Sequence, residues 1–207
     1  MKMNRILAVG ATLLMGIVLA GCGNNVSKSS SNSQEVSGPL KKVGTYTKNS
    51  ETGKITLLAI KNYHNKAINT KSATYYFKEA KLLKIETTKK SQRVNDENNF
   101  GKKLTDTYYE YQLDYSLKNN SKKRVSSNGV ELITPSGDQV SSNHGAIDEL
   151  VGDKIQPGFK KTGLLQAVAK REDIKKMNQY KFVSAELIED SGNYYGVDNQ
   201  TTINFNK

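Results

Sequence analysis

Cysteine occurs once in these 207 residues, tryptophan never, histidine twice and proline three times. A single thiol excludes an intrachain disulfide, and with it both a bridged antibody-type core and a Cys-based zinc site. The two histidines, His64 and His144, each stand beside an Asn in segments that read as loops. A metal or acid–base centre would need carboxylates to converge on them from elsewhere in the chain. Neither a G-x-S-x-G nucleophile turn nor a phosphate-cradling glycine loop is present. The run DENNFG, 96–101, sets Asp96, Asn98 and Gly101 at the first, third and sixth places of a calcium loop. Phe100 then falls on a ligand position and Thr107 where a bidentate Glu should close the site, so the motif fails. No catalytic or metal residue is assigned, and the chain reads as a non-enzyme.

What the chain does contain begins at its amino end. Lys2 and Arg5 precede an apolar run, Ile6 to Ala20, that ends in small residues, the pattern of a secretory signal peptide. As a helix that run would reach about 22 Å at roughly 1.5 Å per residue, short of a hydrocarbon core about 30 Å thick. The following Leu19-Ala20-Gly21-Cys22 resembles the lipobox of bacterial lipoproteins. The resemblance implies cleavage between Gly21 and Cys22 and a diacylglycerol on the Cys22 sulfur, with no other cofactor. An unpaired thiol in an exported protein would otherwise be open to oxidation and mispairing. Two acyl chains anchor stably where one holds only marginally. The expected location is therefore the extracellular face of a cell membrane.

Residues 1–21 are thus expected to be the signal peptide, and 22–52 the lipidated cysteine with a Ser/Asn-rich flexible tether. A domain follows at 53–207. The net charge of +11 is spread over scattered pairs such as Lys89-Lys90, Lys102-Lys103 and Lys160-Lys161. Export argues against nucleic acid. The charge fits either a solvated surface or attraction to anionic headgroups and cell-wall polyanions.

Within the domain, TYYEYQLDYSLKNN has strict period two. Tyr109, Tyr111, Leu113, Tyr115 and Leu117 share one face; Tyr108, Glu110, Gln112, Asp114 and Ser116 share the other, expected to be wet. Asn119-Asn120-Ser121 supplies a turn, and Pro135-Ser136-Gly137-Asp138 breaks GVELITPSGDQV into a hairpin. Further strand candidates are 54–60, 162–169, 180–188 and 201–205. Residues 73–88 read as a long strand, with Tyr75, Phe77, Leu83 and Ile85 on one face and a bulge or kink near 79–81. One short helix is expected at REDIKKMN, where acids precede bases and Ile174 and Met177 stand three apart. Seven or eight strands with turns between them indicate an all-β, antiparallel immunoglobulin-like β-sandwich.

The ordered series YYEYQLDYSLKNNSKKRV, GVELITPSGDQV, DELVGDKIQPGFKKTGLLQAVAK and YKFVSAELIED resembles the immunoglobulin-like domain of Gram-positive surface lipoproteins grouped as domain of unknown function 4352. The match covers roughly residues 105–190. The resemblance implies the sandwich fold and transfers no catalytic or ligand residue. Asp148, Glu149 and Asp153 form a cluster that would bind a cation weakly or simply be solvated. Tyr194 and Tyr195, in a Gly/Asn loop, are candidates for ligand contact or for capping the sandwich. The expected function is a lipid-anchored extracellular binding module that meets the membrane, a cell-wall polyanion or a surface protein. An envelope-protective or assembly factor, such as immunity against an injection apparatus, is the alternative. A solute receptor or an enzyme of unfamiliar type would need a large cleft with convergent polar groups.

Overall fold

The computed structural model describes residues 33–142 and 144–189, and the backbone of 202–204. In chain order the strands are β1 (Gln34–Glu35), β2 (Thr45–Asn49), β3 (Gly53–Asn69) and β4 (Ala73–Glu86). Helix α1 (Lys90–Phe100) leads to β5 (Thr107–Asn119), β6 (Val125–Ser127), β7 (Glu131–Ile133), β8 (Gln139–Ser142) and β9 (Gly145–Asp148). Then come β10 (Lys154–Ile155), β11 (Lys160–Ala169), a 3-10 helix (Arg171–Gln179), β12 (Lys181–Val183), β13 (Leu187–Glu189) and β14 (Thr202–Asn204).

Eleven strands form one mixed sheet in the order β1-β2-β3-β4-β5-β11-β9-β8-β7-β12-β14; β10-β6-β13 form a second. The chain is mostly β, as its period-two patterning requires. The expected Asn turn forms, with the Ser121 N–H donating to Asn119 Oδ1 at 2.8 Å. The hairpin at 135–138 pairs Leu132 with Val140. REDIKKMN is helical, as a 3-10 element.

The main core lies where the large sheet turns back on itself. Phe182 on β12 is separated from β4 by five intervening strands, yet its ring meets Phe77 at 4.7 Å and Tyr75 at 5.2 Å, edge to face. Tyr111 of β5 stacks on Tyr180 at 4.1 Å. Aromatic pairs in these arrangements add about 0.5–1.5 kcal/mol beyond area burial.

A second, smaller core occupies the opposite face of the long strands: Leu57, Leu83, Ile85, Tyr108 and Phe100 of α1, with Leu40 from the segment before β2. A one-residue bulge connects the two cores. Opposite β5, Phe77 stands across from Tyr115 and Glu79 from Asp114, which leaves Lys78 with no residue across from it in the ladder. Because side chains alternate with period two, one extra residue reverses the facing of everything beyond it. Tyr75 and Phe77 therefore enter the main core together with Ala80 and Leu82, while Leu83 and Ile85 enter the other. The single face expected for Tyr75, Phe77, Leu83 and Ile85 is corrected by this bulge, which lies just ahead of the expected position.

Four other expectations change. The sheet is not purely antiparallel, since β1 runs parallel to β2 and β8 to β9, and the described strands number fourteen rather than seven or eight. The folded part begins before residue 53: β2 pairs with β3 through Tyr46 and Thr56, and Leu40 is buried. Residues 180–188 are two strands rather than one, β12 in the large sheet and β13 in the small one. Finally, α1 occupies a stretch not expected to be helical.

Candidate functional site

The residues singled out for anchoring and ligand contact, Gly21, Cys22, Tyr194 and Tyr195, lie outside the described residues. His64 sits in a bulge of β3, where it and Asn65 have positive φ and its N–H donates to Asn62 Oδ1 at 2.7 Å. His144 stands before β9, its Nδ1 3.4 Å from the Ser142 carbonyl. The failed calcium motif is the end of α1, closed by Gly101 with φ 61°, while Asp96 accepts the Tyr108 hydroxyl at 3.1 Å.

The trio Asp148, Glu149 and Asp153 is divided among three tasks. Asp148 is buried and accepts the Tyr115 hydroxyl at 2.9 and 3.0 Å, the Val130 N–H at 2.9 Å and the Leu150 N–H at 3.0 Å. Burial raises its pKa, and those donors oppose the rise. Glu149 accepts the Leu164 N–H at 3.0 Å, and Asp153 pairs with Lys161 at 2.9 Å. Asp148 is thus a structural acceptor that ties β5, β9 and the approach to β7 together.

The candidate site is a groove of about 860 Å³ on the face that carries the smaller core. Its floor is made by β4, β5 and β11 through Ile85, Glu110, Gln112 and Gln166; the segment around Gly38 and the end of β2 form one wall, and Gln92 of α1 contributes to another. Strand alternation puts Tyr108, Glu110 and Gln112 on this face, but cover from α1 and the amino-terminal segment changes their environment. Tyr108 is buried and Glu110 is only 5% exposed, although both were expected on a wet face.

Glu110 is the unusual member. Its Oε1 accepts the Gln112 amide at 2.7 Å and the Gln166 amide at 2.9 Å, from residues paired directly across β5 and β11. Among the described residues none donates to its Oε2. Loss of water pushes its pKa up, and the two amide bonds only partly oppose this. Gln92 Oε1, which also lines the groove, is a buried acceptor with no donor among the described residues. The missed signal was Tyr108: an aromatic residue on the supposedly wet side of β5 marks a covered surface.

The opposite end of the long strands is basic. Loops 70–72, 120–124 and 156–159 meet there, with Asn120 N–H donating to the Ser72 carbonyl at 2.9 Å and Asn119 N–H to the Phe159 carbonyl at 3.0 Å. Lys71, Lys122 and Lys160 are exposed at this end, and Phe159 is 68% exposed at its tip. The acids Asp153 and Glu189 are each engaged by a lysine, Lys161 and Lys123. Since Glu35 and Tyr46 lie across the sheet from Thr56, Lys84 and Tyr109, the described chain's start lies toward the other end, about 33 Å from Asn119 along β5 at ~3.3 Å per strand residue.

No family model matches the chain, and no curated protein matches it. A solved structure of a functionally unknown protein from Listeria monocytogenes EGD-e is similar at 16% identity and TM-score 0.49, covering 72% of this chain and 84% of that one.

Proposed function

We propose that this chain is a lipid-anchored, non-catalytic binding module on the extracellular face of a cell membrane, lipidated on Cys22. We read its large curled sheet and the smaller one as an immunoglobulin-like sandwich akin to the domain of unknown function 4352 group. The observation that carries the binding role is the groove, with a carboxylate only 5% exposed built into its floor. A stability-neutral surface has no use for such a group, because burying a carboxylate without a cation is costly. Departures from folding logic of this kind concentrate at functional sites. The groove, with Glu110, Gln112 and Gln166 converging on it, is also the kind of cleft that a solute receptor or an enzyme of unfamiliar type would need, so a small-solute site is the second reading.

The lipobox and the lone thiol support the anchor. With the anchor at the amino end, the basic end with Phe159 is directed outward, toward anionic polymers of the envelope. Substituting Cys22→Ala tests the anchor: incorporation of labelled palmitate should vanish and the precursor should keep its leader. Full labelling of the variant would refute lipidation at this sulfur.

A further inference from the structure

We infer that the groove receives a primary alkylammonium group, such as a lysine side chain of a partner peptide, with Glu110 as its counter-ion. This rests on the reading of the chain as a binding module and specifies what that module recognises. Four observations converge on the ligand. First, the charged side chains lining the groove are Glu110, Asp114, Glu149 and Lys48, so the groove is negative within a chain of net charge +11. Asp114 is held by Lys78 at 2.8 Å, Glu149 is bonded by the Leu164 N–H, and Lys48 leans toward Glu35 at 3.7 Å. Among the described residues, Glu110 alone of those carboxylates has neither a cation nor a backbone donor.

Second, Glu110 and Gln92 bring acceptor oxygens that no described residue satisfies, so the complementary ligand is a donor. An ammonium has three donors and no acceptor. Third, apolar Ile55, Leu83, Ile85 and Leu164 line the same groove, a surface for the methylene stem that such a head group carries. Fourth, Oε1 is already committed to the two glutamine amides. A guanidinium pairs best through both carboxylate oxygens at once, whereas an ammonium is a point charge satisfied by one. The geometry therefore selects lysine-like over arginine-like ligands.

The test uses the full-length protein in detergent micelles and three probes: N-acetyl-lysine amide, N-acetyl-norleucine amide and N-acetyl-arginine amide. The readouts are the side-chain amide resonances of Gln112 and Gln166, and the affinity. The lysine probe should shift both resonances, bind at least tenfold more tightly than norleucine and severalfold more tightly than arginine. Glu110→Gln should lose at least tenfold for lysine and nothing for norleucine, while Lys175→Ala, on the 3-10 helix, should leave all three unchanged. Gln166→Lys gives an independent arm, because it supplies an ammonium within the chain and should block the lysine probe. If norleucine binds as well as lysine, or Glu110→Gln binds lysine undiminished, the ammonium inference fails and a binding groove remains. If no probe shifts either resonance at 10 mM, on the order of the weakest useful affinity, the groove reading fails with it.

Discussion

Asp148→Ala should be among the most damaging single substitutions in this protein, and the structure says by how much. The carboxylate serves three donors: the Tyr115 hydroxyl, the Val130 N–H and the Leu150 N–H, all at 2.9–3.0 Å. Each donor belongs to a residue no more than 2% exposed, so water cannot replace the lost acceptor. An unsatisfied buried donor costs about 1–3 kcal/mol, which for three gives about 3–9 kcal/mol. Removing the carboxylate's own desolvation cost offsets part of this, which brings the figure into the lower half of that range, about 3–5 kcal/mol. That is the expected loss. Tyr115→Phe removes one donor and leaves both backbone bonds intact, so it should cost about 1–2 kcal/mol. The double variant should be less destabilised than the sum, since the tyrosine is no longer orphaned once it is phenylalanine. Urea denaturation of all four proteins gives these differences directly. A loss below about 1 kcal/mol for Asp148→Ala would mean the site is wet or relaxes freely, and the structural role assigned to this carboxylate would be wrong.

Other outcomes follow from particular contacts. Burial raises the pKa of Glu110, so the native state holds its proton more tightly than the unfolded chain. Its contribution is therefore most favourable below the unfolded value of about 4.3 and is lost as pH rises through the raised native one. Glu110→Gln should accordingly raise the melting temperature at pH 7, and the difference from wild type should shrink toward pH 4; a variant less stable than wild type at pH 7 would contradict this. A methyl group added at Gly163 would stand 2.6 Å from Leu150 Cγ, so Gly163→Ala should destabilise by about 1–3 kcal/mol in the same urea assay. Phe182→Ala removes the ring shared by Tyr75, Phe77 and Tyr115 and should cost about 3–5 kcal/mol. Binding of the anchored protein to a polyphosphate polymer should weaken steeply with salt and fall when Lys71, Lys122 and Lys160 are changed together to Ala; salt-insensitive binding would exclude the basic end as the contact.

Helix α1 shows why part of the fold was not legible. Its sequence, KSQRVNDENNF, has no apolar stripe, and only Phe100 is buried. Its anchoring comes instead from polar contacts outside the helix: Arg93 with Asp106 at 2.7 Å, and Glu97 accepting the Leu104 N–H at 3.0 Å. Such contacts have no periodic signature. In β5, by contrast, alternation alone marked Tyr109, Tyr111, Leu113, Tyr115 and Leu117 as core; the last four are buried and Tyr109 is partly buried against them. The same alternation called Glu110 wet because a strand cannot report what covers its second face.

Local pattern determined the β class, the length of β5, the existence of β11, the Asn119 turn, the 135–138 hairpin and the helical turn before Tyr180. Each depends on residues within a few positions of one another, where period and turn chemistry act directly. Tertiary structure decided the rest: the bulge that divides β4 between two cores, the division of 180–188 between two sheets, and the cover that turns Glu110 from a surface acid into the floor of a groove. These depend on which distant segment lies opposite, and a carboxylate's environment belongs to the space around it rather than to its neighbours in the chain.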